Sequence, residues 1–126
     1  MLTAEDIYDA NQSSSKWEER RPCSFKGNTV IDLYTWTTPN GRKVSILLEE
    51  LGIEYEVNAI DISKGDQFSA EFLQIAPNNR IPAIVDRETG VQLMESAAIM
   101  LYLVDKYKRF NCTGPEHWRM VEWLMW

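Results

Sequence analysis

Between Val30 and Ala59 the hydrophobic period of the chain changes twice, and this limits the architecture more than any other feature of the sequence. Val30 to Trp36 is β-branched and aromatic, the composition of a strand. Thr38-Pro39 then opens a helix, threonine serving as N-cap and proline as the first helical residue. Val44, Leu47, Leu48 and Leu51 recur at i, i+3, i+4 and i+7, one face of that helix. Gly52 stops it, and Tyr55, Val57 and Ala59 alternate with Glu54, Glu56 and Asn58 at strand spacing. A strand, a helix and a strand this close together form a βαβ unit, with parallel strands and a right-handed crossover.

The remaining pattern extends this unit. Lys64-Gly65-Asp66 leads into a short helix with Phe68, Phe72 and Ile75 expected on one face. Pro82 to Asp86 and Val91 to Met94 are short apolar runs joined by Arg87-Glu88-Thr89-Gly90, the chemistry of a hairpin. A helix from Ser96 to Lys108 closes the order β-α-β-α-β-β-α. Ala97 to Val104 is an unbroken apolar stretch within it, so this helix is expected to be covered on more than one side. Glu116 to Trp126 then carries Trp118, Val121 and Met125 at i, i+3 and i+7, as though opening an all-α domain that the sequence leaves incomplete. The alternative is a complete small protein whose closing helix self-associates. Three regions are expected: an extended polar arm at 1–29, an α/β domain at 30–110, and a linker with a first helix at 111–126.

Composition removes several functions. Thirteen Lys plus Arg face nineteen Asp plus Glu, a net charge of −6, the wrong sign for gripping nucleic acid or an anionic membrane. Cys23 and Cys112 are isolated, which excludes a disulfide framework or a CxxC pair. The lone His117 has no Cys or His nearby to share a metal, so no metal site is expected. No stretch approaches the ~20 apolar residues of a membrane span, and the first fifteen residues carry neither the basic n-region nor the long apolar core of a secretory signal. A cytoplasmic location is the expectation.

Three local sequences carry the chemistry: Thr38-Pro39-Asn40-Gly41, Asn79-Arg80-Ile81-Pro82-Ala83 and Glu95-Ser96. The first places backbone N–H groups of Asn40 and Gly41 at the positive end of a helix, where an anion is welcome. Taken alone it is also simply a good helix start. In this order and spacing, on a βαβαββα framework, the three resemble the glutathione-binding, thioredoxin-like domain of a glutathione transferase. The string from Asp32 to Phe110, about two thirds of the chain, is similar to the group containing the yeast nitrogen-regulating prion protein and the bacterial nu-class disulfide-bond reductases.

The resemblance implies roles for particular residues. Thr38 and Asn40 would stabilise the glutathione thiolate, with Tyr34 as a rival activator by analogy with other transferase classes. Pro82 would follow a cis bond and present the Ile81 backbone to an extended tripeptide. Glu95 and Ser96 would receive the γ-glutamyl amine and carboxylate, and Gln67 and Arg80 the glycine end; Arg80 stands where the family often has lysine. The helix start holds no cysteine, so the protein supplies no redox thiol of its own. Glutathione-dependent disulfide reduction, or conjugation to a small electrophile, is the implied activity, in a homodimer. Trp118, Trp123 and Met125 are candidates for the near edge of an electrophile pocket. The competing reading is a non-catalytic regulatory or interaction module on the same fold, with the arm facing the partner.

Overall fold

The computed structural model describes residues 30–126, so the arm, with Cys23, lies outside the described residues. Its elements are β1 (Ile31–Thr35), α1 (Pro39–Leu51), β2 (Tyr55–Ala59), a 3₁₀ turn (Asp66–Phe68), α2 (Ala70–Ile75), β3 (Ala83–Asp86), β4 (Gln92–Met94), α3 (Ser96–Tyr107) and α4 (Pro115–Met125). The sheet order is β2-β1-β3-β4. β1 runs parallel to β2, with Leu33 opposite Val57, and antiparallel to β3, with Leu33 opposite Ile84. β4 completes the antiparallel hairpin with β3. This is the thioredoxin-like arrangement, and the βαβ crossover and the hairpin both form as the sequence predicts.

Strand alternation divides the core into two layers. Ile31, Leu33 and Ile84 point to one face, where Val44, Leu47, Leu48 and Leu51 of α1 and Ile99, Leu103 and Val104 of α3 cover them. On the opposite face Phe72 of α2 packs with Ala76 and Ala83, flanked by Tyr34, Ile81 and Met94. The apolar stripe of α1 is buried as its spacing requires, and Gly52 ends the helix with φ 69°, a conformation that a Cβ would disfavour.

Two expectations need correcting. The single short helix through Phe68, Phe72 and Ile75 is broken at Ser69, whose backbone is extended and whose hydroxyl accepts the Phe72 N–H at 3.2 Å. The break turns Phe68 away, leaving it 63% exposed while Phe72 is buried. Val57 alternates in phase with Tyr55 but remains 56% exposed, because β2 is an edge strand whose outer end no described helix covers. The closing helix itself buries Ile99, Leu103 and Val104, while Ala98 is exposed and its other apolar residues are half-buried among the described residues. α4 does not supply the second cover, since none of its own residues is buried.

A charged clamp that apolar patterning does not reveal ties the hairpin to α3. Asp86, fully buried at the end of β3, accepts the N–H groups of Glu88 and Thr89 at 2.9 and 3.2 Å, closing the turn. Its other oxygen receives Tyr102 Oη and Lys106 Nζ, each at 2.5 Å. Burial raises the carboxyl pKa, but these four hydrogen bonds outweigh it and leave Asp86 below its ordinary value. On the other side of the sheet, Arg87 joins Asp32 and Glu56 across three strands.

Candidate functional site

The first part of the site is the start of α1. Thr38 is the N-cap, with φ −123° and ψ 158°, and its Oγ1 accepts the Gly41 N–H at 3.2 Å. The Gly41 N–H is therefore committed to the cap and is not the outward donor that the sequence reading assigned to it. The Thr38 hydroxyl, used as an acceptor here, keeps its own proton to donate. Gly41 is required by close approach: a Cβ there would overlap Thr35 Oγ1 and lie 2.6 Å from the Trp36 carbonyl oxygen. This contact lets the β1–α1 turn fold tightly, and it leaves Asn40 exposed at the rim.

The second part is the loop between α2 and β3. The Ile81–Pro82 bond is cis, and the strand register begins at Ala83, so Ile81 stands outside the ladder. Asn78 Oδ1 accepts the Arg80 N–H at 3.1 Å, an Asx turn that shapes the approach to the proline. Asn79 has φ 56°, in the left-handed region that asparagine tolerates better than most residues.

The third part is the start of α3. Ser96 is its first residue, and Glu95 before it has φ 71° and ψ 116°. A residue with a Cβ pays on the order of 1–3 kcal/mol for such backbone geometry. Two contacts hold it: the Glu95 carbonyl accepts the Ile99 N–H at 3.0 Å, and its Oε1 accepts Asn78 Nδ2 at 3.0 Å.

These three parts meet in a small polar cleft of about 60 Å³ lined by Asn40, Asn78, Arg80, Ile81, Pro82, Glu95 and Ser96. Six of the sequence-predicted residues are thus brought together. Thr38 and Gln67 are not on its wall. Thr38 sits at the α1 cap beneath Asn40, and Gln67 lies in the 3₁₀ turn with its Oε1 buried and without a protein partner. Asn79 Oδ1 is likewise buried and unpartnered. Tyr34 belongs to the packing around Phe72, their ring centroids 6.1 Å apart, and burial followed by the nearby Asp32 charge raises its pKa. Trp118, Trp123 and Met125 are exposed on α4; a second hollow of about 280 Å³, lined by Glu122, Trp123 and Trp126, shares no residue with the cleft. Sequence reasoning missed Asn78, although Pro77-Asn78 before a turn is the pattern of an Asx side chain that caps its own loop. Among the described residues no cluster of three His, Cys, Asp or Glu could hold a metal, and no helix is long and apolar enough to cross a membrane.

The glutathione S-transferase N-terminal domain model matches residues 29–105. The disulfide-bond oxidoreductase YfcG of Escherichia coli is 44% identical over 103 residues, 77% of this chain and 48% of that protein. The URE2 protein of Meyerozyma guilliermondii is 38% identical over 106 residues, 80% of this chain and 35% of that protein. Among solved structures, a glutathione transferase family member from Pseudomonas fluorescens with two glutathione bound superposes with TM-score 0.73 at 40% identity, covering 88% of this chain and 48% of that one. The chain spans about half the length of the first of these relatives or less. Matched in sequence from before β1 into α3, and superposed on relatives that converge on the same thioredoxin-like arrangement, this chain belongs to the glutathione S-transferase family, as an N-terminal domain of its Ure2-like and nu-like group.

Proposed function

We propose that this chain binds glutathione in the cleft between the starts of α1 and α3 and activates its sulfur for glutathione-dependent disulfide reduction. The observation that carries the reading is the convergence of Asn40, Ile81 and the Glu95–Ser96 pair on one polar cleft. Two named relatives, YfcG and YghU of Escherichia coli, are disulfide-bond oxidoreductases, and several solved relatives were crystallised with reduced or oxidised glutathione.

The residues present fit the tripeptide. Ser96 offers its N–H and hydroxyl at a helix N-terminus, suited to the γ-glutamyl carboxylate, and the Glu95 carboxylate suits the adjacent amine. Ile81, outside the sheet ladder, offers its backbone to an extended peptide in the manner of an added strand. Arg80 provides a cation for the glycine carboxylate, and the orphaned Gln67 Oε1 is an acceptor that an incoming N–H would satisfy. Thr38 donates its hydroxyl proton, Asn40 its side-chain amide, and α1 the positive end of its dipole to a sulfur seated above the cap. All three favour the thiolate over the thiol and so lower the pKa of bound glutathione.

In the reaction, that thiolate attacks one sulfur of a disulfide, the S–S bond breaks, and the departing sulfur takes a proton from solvent. A second glutathione then completes the exchange, giving two reduced thiols and glutathione disulfide. The same thiolate would add to a small electrophile. The described site contains no cysteine, so both electrons come from glutathione.

An amide NMR titration with glutathione tests the reading. Shifts centred on 38–41, 79–81 and 95–96 are expected. A dispersed spectrum that ignores millimolar glutathione would overturn it and move weight to the regulatory alternative.

A further inference from the structure

We propose that Asn78 is a positioning residue that sets the Glu95 carboxylate for a ligand ammonium group. The inference deepens the glutathione reading and rests on it. Among the described contacts of the cleft, the Asn78 side chain braces its own loop and also reaches across to the start of α3. Its Oδ1 accepts the Arg80 N–H at 3.1 Å, and its Nδ2 donates to Glu95 Oε1 at 3.0 Å, across seventeen positions of sequence. An amide can do both at once because its acceptor and donor are on opposite arms of one rigid plane.

The position of Glu95 makes this bond consequential. With φ 71° at the mouth of α3 and no capping bond from its own side chain, Glu95 is exposed and has rotational freedom unless something holds it. Among the contacts described for its carboxylate, Asn78 is the holder. With one carboxylate oxygen fixed, the other is left to face the cleft and accept from a cation. Asn78 itself need not touch the ligand; it acts by restricting Glu95. A role in loop shape alone would use only the Oδ1 arm, so the two arms make separable predictions.

The experiment compares glutathione with its analogue carrying hydrogen in place of the γ-glutamyl amine, both titrated calorimetrically into the parent chain, Asn78→Asp, Asn78→Ala and Glu95→Ala. Asn78→Asp keeps the acceptor for the Arg80 N–H while it replaces the donor to Glu95 with a repelling carboxylate, so it releases Glu95 even where Asn78→Ala disturbs the loop, and the deaminated analogue controls for the added charge. Asn78→Asp is expected to weaken glutathione about tenfold, the loss expected for a hydrogen bond to a charged group. It should change the deaminated analogue less than about twofold. Adding Asn78→Asp to Glu95→Ala should cost nothing further. In the free chain the Glu95 and Ser96 amide resonances should shift more in Asn78→Asp than the Arg80 resonance does. Equal weakening of both ligands, or an undiminished effect in the Glu95→Ala background, would overturn the positioning role while leaving glutathione binding intact. Failure of the parent to bind glutathione overturns both, and the parent titration alone reports it.

Discussion

Thr38 and Asn40 stand two residues apart, and the proposed function gives them different tasks that substitution separates. Thr38→Ala removes the cap on the Gly41 N–H and, in the proposed function, a donor to the sulfur, so it should cost about 1 kcal/mol of stability as well as activity. Asn40, exposed at the rim, has only the proposed donor role, and Asn40→Ala should reduce disulfide-reduction turnover roughly tenfold with the urea midpoint unchanged. Both should raise the pKa of the bound thiol, read as a shift of the 240 nm thiolate absorbance to higher pH. Tyr34→Phe should do neither, since the ring packs against Phe72 on the α2 face of the sheet. If Tyr34→Phe proves the worst of the three, the sulfur is activated from the sheet and not from α1. Gly41→Ala is a different kind of change. It drives a methyl group into the Thr35 hydroxyl and the Trp36 carbonyl, and a destabilisation of about 1–3 kcal/mol is expected in urea titrations.

Among the elements, those with an apolar period were legible, and those held by polar bonds were not. The α1 stripe, its Thr38 start and Gly52 stop, and the βαβ order follow from spacing alone, because burial of an apolar face leaves a periodic trace. The break at Ser69 depends on one side-chain cap inside a pattern that reads as continuous, and the exposure of Val57 depends on which strand lies at the edge, a property of the whole sheet. Asn78 and Asp86 were illegible for the same reason: each bonds to a segment ten or more residues away. The Asp86 clamp has its own pH signature. Its folded carboxyl is held below the ordinary value, so its stabilisation is complete above the unfolded pKa near 4 and is lost as pH falls through the lower folded value. Urea midpoints should therefore fall steeply from pH 5 to pH 3. Asp86→Asn should flatten part of that slope and cost roughly 1–3 kcal/mol at pH 7, where it leaves Lys106 with only the exposed Glu88 as its ion-pair partner. A slope unchanged by Asp86→Asn would assign the acid sensitivity to other carboxylates.

Over the whole molecule, stability is expected to be unequal, and the inequality separates the cleft from the C-terminal helix. The three segments that form the cleft are rooted in the core: α1 through Leu48, β3 through Ile84 and α3 through Ile99, all fully buried. α4 has no buried residue, and it leaves Trp118 and Trp123 each 70% exposed and Trp126 93% exposed. A short helix without tertiary burial is marginal in water, since each residue ordered costs about 1–2 kcal/mol of backbone entropy that packing must offset. Local opening should follow this division. In hydrogen exchange of this chain, the amides of α4 should exchange at near-unprotected rates. Those of β1, β3 and the middle of α3 should exchange only through global unfolding, with rates that track the urea-determined stability. Deleting 115–126 should then leave both the core protection and the glutathione-induced shifts at Asn40, Ile81 and Ser96 in place, because none of the deleted residues lines the cleft. Core-like protection in α4 would overturn this division and mean that the helix docks in solution against the α/β domain, as its exposed tryptophans would then have to be covered.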